Sequence, residues 1–403
     1  MSLLDHPTAQ ALLADAEVSA LAVAGCPGRL ESFLQRYLPR FYRAEQHELA
    51  RVVLQGKLSG LPRKTSEPIA SQAGRHRKPV QHFVGAGRWD DEGVMAELRR
   101  HVAEELADPG AVLVLDPSAF PKSGAGSCGV ARQWCGRLGK VENCQVGVFL
   151  AYVSAAGQAL VDRQLYLPQA WAQDAARRRE THVPDAVTFQ ESWRIGLDLL
   201  DRAAEDLPFG WVAGDDEFGR CAEFRAQLRL RRRRYVLDVP CNTSVRDLGE
   251  APAAGRRRPP WRRADEGARA QPPSRWRKLR RGAGSKGPKV VWAAEAWVQT
   301  KDEDGRVGPL RAARGHPHGR SGAAGLVHAV GRAGGGAAAR SRGGPRPAAR
   351  GRGVVRGRQG RGGAGALRGA QLGGLAPPHD PVAAGPVVPA TGEGAARGGK
   401  SRP

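Results

Sequence analysis

The sequence lacks several patterns by which common classes of protein are recognised. Its six cysteines include no CxxC pair and no histidines at ligand spacing, which argues against structural zinc and against a disulfide framework. No apolar run reaches about 18 residues, and the acidic stretch ALLADAEVSALAVAG is unlike a secretory signal. The metalloprotease motif HExxH and the hydrolase motif GxSxG do not occur. We therefore expect a cytoplasmic protein without a transmembrane helix.

Acidic residues are comparatively few, and the basic excess is uneven. The 403 residues include 63 Lys and Arg against 40 Asp and Glu, a formal net charge of +23. Sixteen of the basic residues and two of the acidic ones follow Leu310, so the first 310 residues carry +9 and the remainder carries +14. A basic globular part suits a polyanion such as nucleic acid, although an arginine-rich proteome would raise the charge without any function.

The first 108 residues are predicted to be helical. LESFLQRYLPRFYRAEQHELARVVLQGKLSGL and DDEGVMAELRRHVAEELADPG have apolar residues at helical spacing and end at Pro/Gly stops. Between them, SGLPRKTSEPIASQAGRHRKPVQHF reads as a basic, loop-rich segment. Residues 1–108 are predicted either to contact DNA or simply to pack as helices.

Residues 109–248 change to alternating strand and helix patterns. The predicted order is β, β, β, α, β, α, β, which indicates an α/β protein with a mixed sheet flanked by helices. Residues 249–310 read as a basic linker or insertion in which KVVWAAEAWVQTKDEDG forms a short strand pair. Residues 311–403, mostly Ala, Gly, Arg, Pro and Val, are predicted to be a disordered, low-complexity tail.

Two aspartates follow predicted strands. Asp116 ends the run AVLVLD, and Asp215 follows WVAG. In a mixed sheet such strand ends can lie side by side, and paired carboxylates hold the divalent cations used in phosphodiester chemistry. Aspartates after strands are also common turn residues, so the pattern alone leaves both interpretations open.

Five segments together carry a family resemblance: WDDEGVMAELRRHV, LVLDPSAFPKSG, GVARQWCGRLGKVENCQVGVFLAYVS, LVDRQLYLP and WVAGDDEFGR. From about Phe41 to Leu310 the chain resembles insertion-sequence transposases of the RNase H-like DDE superfamily, in the branch near the bacterial IS4-type elements. The resemblance implies an RNase H-like fold, with Asp116 as the first catalytic, metal-binding aspartate and Asp215, or alternatively Asp216, as the second.

The resemblance also implies cofactors and partners. It implies Mg²⁺, with Mn²⁺ as a substitute, as the cofactor, and double-stranded DNA, both the element's ends and the target, as the partner; a homodimer is compatible with it. Relatives often have Glu where this chain has Pro117. The basic, glycine-rich stretch after the first strand is predicted either to contact DNA phosphates or to be a solvated loop. Its candidate DNA-binding residues are Arg132, Gln133, Arg137 and Lys140.

The family pattern also requires a glutamate on a helix after the last strand, and the tail offers no such helix. The codons permitted for LAPPHDPVAAGPVV, read one base later, can encode WHHHMTLSLLALW, which resembles the family's C-terminal helix. AARGHPHGR and GLVHAVGR, shifted in the same way, permit RLVVIRTV and GWYTLSD. We therefore expect a frameshift near Leu310–Arg311, with the glutamate codon straddling Arg352 and Gly353.

The expected consequence is a transposase-family chain that has lost its third acidic residue and is defective in strand transfer. The alternative is a non-catalytic, basic DNA-binding remnant. The shift could be programmed, mutational or a sequencing error.

Overall fold

The structure is a computed structural model that describes residues 18–250, 257–284, 287–301, 307–314 and 327–331, with the single residues 10 and 255. Side chains are described for these residues except 280–291, 307–314 and 327–331. Of the predicted tail, 311–314 and 327–331 are backbone strands. The rest of the tail, with Arg352 and Gly353, lies outside the described residues, as do 1–9 and 11–17 of the predicted N-terminal region.

The described residues divide into two compact units. One comprises 44–88, and the other comprises 18–43 together with the described residues from 89 onwards. Helices occur in both units: α1 Ala20–Ala24, α2 Cys26–Gln35, α3 Ala44–Leu58, α4 Ser66–Gln72, α5 Arg77–Gly85, α6 Asp91–Leu106, α7 Gln169–Gln173, α8 Ala175–Glu180, α9 Ser192–Asp206, α10 Asp216–Gly219, α11 Ala222–Leu230 and α12 Ala264–Arg269. Within the described residues, no helix is both long enough and apolar enough to cross a membrane.

The predicted loop between the N-terminal helices is wrong, because α4 and α5 lie in it. Each of the two helices has a proline as its third residue, Pro68 in α4 and Pro79 in α5. In the first turn of a helix the missing N–H has no intrahelical partner to lose, so a proline is tolerated there. In the sequence alone, the same prolines suggest that no helix forms, which is why this segment was predicted to be a loop.

A twelve-stranded mixed sheet is found in the described residues. Its strands are β1 Val112–Pro121, β2 Ala131–Cys135, β3 Lys140–Val153, β4 Gln158–Leu165, β5 Trp211–Gly214, β6 Arg234–Val239, β7 Ser244–Asp247, β8 Arg262–Arg263, β9 Arg277–Gly284, β10 Gly287–Thr300, β11 Val307–Arg314 and β12 Val327–Gly331.

The first strands form an RNase H-like core. β3 pairs antiparallel with both β1 and β4, whereas β1, β5 and β6 run parallel to one another. Antiparallel neighbours need only short turns, and parallel neighbours need the crossovers that α9 and α11 provide. The predicted α/β class, with a mixed sheet flanked by helices, is confirmed.

Apolar residues from the strands and the crossover helices form one core. β1 contributes Leu113 and Leu115 to it, which alternate with the outward-facing residues of that strand, and α9 packs its apolar side onto the sheet. Fully buried members of this core include Leu113, Val148, Leu150, Tyr152, Val161, Leu199, Val212, Phe218, Phe224, Leu228 and Leu237.

A buried ion cluster fixes helices onto β4. The side chain of Asp162 is fully buried, and its Oδ2 accepts hydrogen bonds from Arg202 Nε at 2.9 Å and from an Arg99 guanidinium nitrogen at 3.5 Å. Arg99 also donates from Nε to Asp206 at 2.9 Å. These contacts join α6 and α9 to the strand that carries the carboxylate, and removing one partner of such a cluster costs about 3–5 kcal/mol.

The strands after β6 extend the sheet beyond the core. β10 is one continuous 14-residue strand, where the sequence predicted a strand pair, and it pairs with β7, β9 and β11. Ala264 and Val298, within the predicted basic linker, pack with Val239 and Val245 of the preceding region in a small core. β12 joins these strands to the core by pairing antiparallel with β6.

Candidate active site

The two predicted aspartates meet at the ends of neighbouring parallel strands. Leu115 of β1 is in register with Gly214 of β5, and Asp116 and Asp215 follow these residues directly. Leu113 and Leu115 point to the buried core, so the next residue along β1 lies on the opposite face of the sheet. Because neighbouring parallel strands keep the same alternation, Asp116 and Asp215 share that face.

Local structure holds both carboxylates in place. Asp215 is the N-cap of α10, and its Oδ1 accepts a hydrogen bond from the backbone N–H of Glu217 at 3.1 Å. Aspartate is favoured there because it satisfies an N–H that has no partner within the helix. Ser118, two residues after Asp116 on the same face of β1, donates from Oγ to Asp116 Oδ2 at 3.4 Å.

The electrostatic environment is strongly acidic. Burial and, after it, the negative charges of Glu217, Asp116 and Asp216 together raise the pKa of Asp215 to about 7, although the hydrogen bond from the Glu217 backbone opposes the rise. Burial also raises the pKa of Tyr166, and the negative charges of Glu217 and Glu191 add a smaller rise. A cation placed among these carboxylates would remove the repulsion that keeps Asp215 protonated.

Asp216, the alternative second aspartate, is engaged elsewhere. Its Oδ2 accepts from an Arg220 guanidinium nitrogen at 2.7 Å, an i,i+4 pair on the helical surface. Among the described residues, Asp215 forms no ion pair with an arginine or lysine, and the charges that act on it are those of the carboxylates named above. The geometry therefore favours Asp215 over Asp216 as the partner of Asp116.

The neighbour of Asp116 on β3 is aromatic. Phe149 lies directly opposite Asp116 in the β1–β3 register, and its ring contacts that of Phe120 edge to face, with centroids 6.0 Å apart. A side chain at Gly147 would meet the Phe149 ring at 2.9 Å, so a glycine is needed to keep the ring in this position. Asp116, which is itself exposed, thus has an apolar neighbour on one side.

The donor chemistry fits a divalent cation. Two hard carboxylate ligands adjoin, and repulsion among the acidic groups raises the pKa of one of them. Across the part of the chain that the structure describes, no cluster brings together three His, Cys, Asp or Glu side chains able to hold a metal ion. The described residues thus bring two carboxylates to adjacent strand ends.

The predicted DNA-binding stretch is a β-hairpin formed by β2 and β3. Arg132 and Arg137 are exposed on it, and Lys140 is exposed and paired with Glu142 at 2.9 Å. Gln133 is turned inwards instead, donating from Nε2 to the backbone oxygen of Cys144 at 2.8 Å. Three of the four candidates thus remain available to an anion, and the fourth is used in holding the hairpin together.

Sequence reasoning missed the apolar residues between these cations. Trp134 is 63% exposed, and Val141 directly opposite it on β3 is 49% exposed. Leu138 in the turn is 47% exposed. A tryptophan flanked by alternating polar residues beside a glycine-rich turn is a sequence signal that could have identified an exposed aromatic residue at this position.

An RNase H-like sheet with two carboxylates at adjacent parallel strand ends defines a class, the nucleases and transposases that act on phosphodiester bonds. The sequence profile described as "DDE superfamily endonuclease" matches residues 36–303, and the chain belongs to that family. Two further comparisons concern individual proteins.

The chain is 28% identical over 120 residues to a probable transposase for insertion sequence element IS701 from Microchaete diplosiphon. That alignment covers 30% of this chain and 32% of the relative, so the chain spans about a third of the length of this curated protein. Among solved structures, the NurA nuclease from Sulfolobus solfataricus matches with 9% identity and a TM-score of 0.25, covering 58% of this chain and 73% of that one.

Proposed function

We propose that this chain derives from a transposase that cuts and joins double-stranded DNA at the ends of an insertion sequence. The observation that carries the proposal is the adjacency of Asp116 and Asp215 on parallel strands, with an acidic environment around Asp215. Family membership supports the substrate class. On this proposal the protein works in the cytoplasm, on the element's own ends and then on target DNA, and a homodimer would pair the two ends.

Asp116 and Asp215 would hold Mg²⁺, or Mn²⁺ in its place. When bound, such a cation supplies charge neutralisation for the phosphodiester and acidifies bound water. Ser118 orients the carboxylate of Asp116, and the Glu217 N–H orients that of Asp215. The role of these two donors is to position the carboxylates, which would themselves neutralise the charge of the cation.

We further propose that this chain is defective, because its frame changes near Leu310–Arg311 and the third acidic ligand is lost. The profile match supports this, since it ends at residue 303, shortly before that point. The shifted readings of several tail segments, all in one frame and all family-like, support it independently. The residues concerned, at Arg352 and Gly353, lie outside the described part of the chain.

The experiment compares this chain with a version in which one base is removed so that the shifted frame is read after Leu310. Both are incubated with Mg²⁺ or Mn²⁺ and a duplex carrying the DNA that flanks the gene. We expect strand transfer from the frame-restored protein only, and its loss on Asp116→Asn or Asp215→Asn. Strand transfer by the unaltered chain would refute the defect.

A non-catalytic DNA-binding remnant is the second candidate function, favoured by the net charge of +9 before Arg311. The same reactions separate the two candidates. If the frame-restored protein retains the duplex in a gel shift without cutting it, and Asp116→Asn changes nothing, the second candidate is correct.

A further inference from the structure

Two aromatic side chains lie beside the exposed carboxylate of Asp116. Phe149 of β3 is directly opposite Asp116 in the β1–β3 register, and Phe120 lies further along β1 on the same face as Asp116. Both phenylalanines are partly exposed, and Asp116 is exposed. The two rings therefore form part of the surface from which Asp116 is reached.

A glycine fixes the direction in which the Phe149 ring points. A Cβ at Gly147 would lie 2.9 Å from Phe149 Cε2 and 3.1 Å from Cζ, so the ring lies over the backbone of Gly147. From there its centroid is 6.0 Å from that of Phe120, in an edge-to-face contact. Gly147 is opposite Ser118 in the register. The two rings thus cover a continuous strip, here called the aromatic strip, from the level of Asp116 to that of Phe120.

Charged residues border the aromatic strip on both sides of Phe149. On one side lies the carboxylate of Asp116. On the other side, Arg163 of β4 is opposite Phe149 in the β3–β4 register, and its guanidinium group is paired with Asp91 at 2.5 Å. Because that cation is already paired, the surface next to Asp116 in this direction is the hydrocarbon of the ring. The strip therefore suits an apolar part of a substrate whose charged part is held at the carboxylates.

A phosphodiester held at Asp116 and Asp215 would bring its own sugar to the aromatic strip. Side chains directly opposite each other on paired strands have Cβ atoms about 4.5–5.5 Å apart, so Phe149 adjoins any group held at Asp116. The sugar of a nucleotide is bonded to the phosphate, whereas the base is attached to the far side of the sugar. A partly buried ring next to the carboxylate therefore meets the sugar before it meets the base.

The chemistry of the aromatic strip favours deoxyribose over ribose. The 2′ carbon of deoxyribose carries only hydrogen atoms, which pack against an aromatic ring by dispersion. Ribose has a hydroxyl group at that carbon, and this is the group by which proteins tell RNA from DNA. The rings of Phe149 and Phe120 offer that hydroxyl no oxygen or nitrogen partner. A ribose at the strip would therefore lose hydrogen bonds to water without replacing them.

We propose that Phe149, supported by Phe120, contacts the deoxyribose next to the phosphate held at Asp116 and Asp215, and that it excludes a ribose at that position. The inference rests on the proposed function, because it requires that this face takes a phosphodiester of DNA. It adds to that function a selection between DNA and RNA at a single nucleotide. Binding measures this selection, so the test does not depend on strand transfer.

The experiment measures competition between duplexes for the full chain in Mg²⁺, with the duplex that carries the DNA flanking the gene as the reference. In each competitor one deoxynucleotide is replaced by its ribonucleotide, and the replacement moves in single steps across the end of the element. We expect the wild type to bind one such competitor, or two adjacent ones, about tenfold more weakly than the all-deoxy duplex. In EDTA this discrimination should disappear, because the carboxylates alone repel the phosphate.

Variants of the aromatic strip test the contact directly. Phe149→Ala removes the ring and should reduce the discrimination to less than about twofold. Gly147→Ala keeps the ring but displaces it, and it should have the same effect, so it decides the test if Phe149→Ala does not fold. Trp297→Ala, the control, removes a ring that is 50% exposed on β10 and should keep the wild-type discrimination. Because each ratio compares two duplexes on one protein, a partly unfolded variant still reports it.

Three results would overturn the inference: a wild type without discrimination at any position, a Phe149→Ala variant that keeps the discrimination, or a duplex with an abasic site that binds more weakly than every ribonucleotide competitor. The last result would mean that the rings contact a base. Failure of the proposed function looks different. In that case the discrimination is found and depends on Phe149, but the frame-restored protein does not cut DNA in Mg²⁺ or Mn²⁺.

Discussion

Replacing Asp215 with asparagine should stabilise the protein in the absence of a divalent cation. The pKa of Asp215 is raised from 3.8 to about 7 by burial and by neighbouring carboxylates. An asparagine keeps an oxygen that can accept the Glu217 N–H, so the cap of α10 survives while the charge disappears. The variant therefore shows how much the charge of Asp215 lowers the free energy of unfolding while the helix cap is retained.

The sign and size of the effect follow from proton linkage. Between pH 3.8 and about 7 the unfolded chain releases this proton before the folded one does, so the stability of the wild type falls across that interval and then stays level. A pKa difference of this size corresponds to a loss of about 4 kcal/mol in the free energy of unfolding. Because Asp215 is only half-buried, solvent screening reduces this to about 1–2 kcal/mol.

The assay is urea denaturation in EDTA at pH 5 and pH 8. Asp215→Asn should be more stable than the wild type by about 1–2 kcal/mol at pH 8 and by about a third of that at pH 5. Excess Mg²⁺ at pH 8 should raise the wild-type midpoint but not that of the variant. Asp216→Asn is the control, and it should lose stability because Asp216 is paired with Arg220. A variant no more stable than the wild type at pH 8, or equally favoured at both pH values, refutes the reasoning.

Two further predictions concern packing and charge. Gly219→Ala should lower the free energy of unfolding by about 3 kcal/mol, because a Cβ there would lie 1.7 Å from the backbone oxygen of Asp238. Chemical denaturation measures this loss, with Gly124→Ala as the control because a Cβ at Gly124 would meet nothing within 4 Å. Equal unfolding midpoints for the two variants would contradict the close packing at Gly219. Replacing Arg132 and Arg137 with alanine should flatten the salt dependence of duplex binding by about 2, as followed by fluorescence anisotropy. An unchanged slope would mean that DNA does not touch the hairpin.

The core strands could be predicted from the sequence because each is a short apolar run bounded by turn residues. AVLVLD and CQVGVFLAYVS correspond to β1 and β3, and the helical period around Trp193 and Leu197 corresponds to α9. Their order restricts the sheet to few topologies, since parallel pairs need crossovers and antiparallel pairs do not. The mixed sheet flanked by helices follows from that restriction, whereas the RNase H-like class was implied by the family resemblance.

The strands beyond β6 could not be predicted in the same way. β9 to β12 are rich in Ala, Gly and Arg, residues with little preference for strands, and they depend on pairing between distant segments. β10 looked like two strands because its apolar residues are interrupted at Glu295. In the 14-residue strand, this residue pairs in register with Arg311 of β11.

The candidate site was predictable in its residues but not in its electrostatics. Asp116 and Asp215 stand out as acids after strands, yet only the register shows that they are immediate neighbours. The engagement of Asp216 by Arg220 and the inward turn of Gln133 depend on side-chain contacts that no spacing encodes. Helices α4 and α5 were not predicted because each has a proline in its first turn, a position where proline is tolerated.

The pairing of β12 with β6 affects how the chain behaves during synthesis. β6 is complete at Val239, but the strand that covers its outer edge spans Val327–Gly331, so almost ninety residues are made while that edge is open. An uncovered edge of an apolar strand is a template for pairing with other chains. A product ending before residue 327 would keep the carboxylate pair and still tend to aggregate.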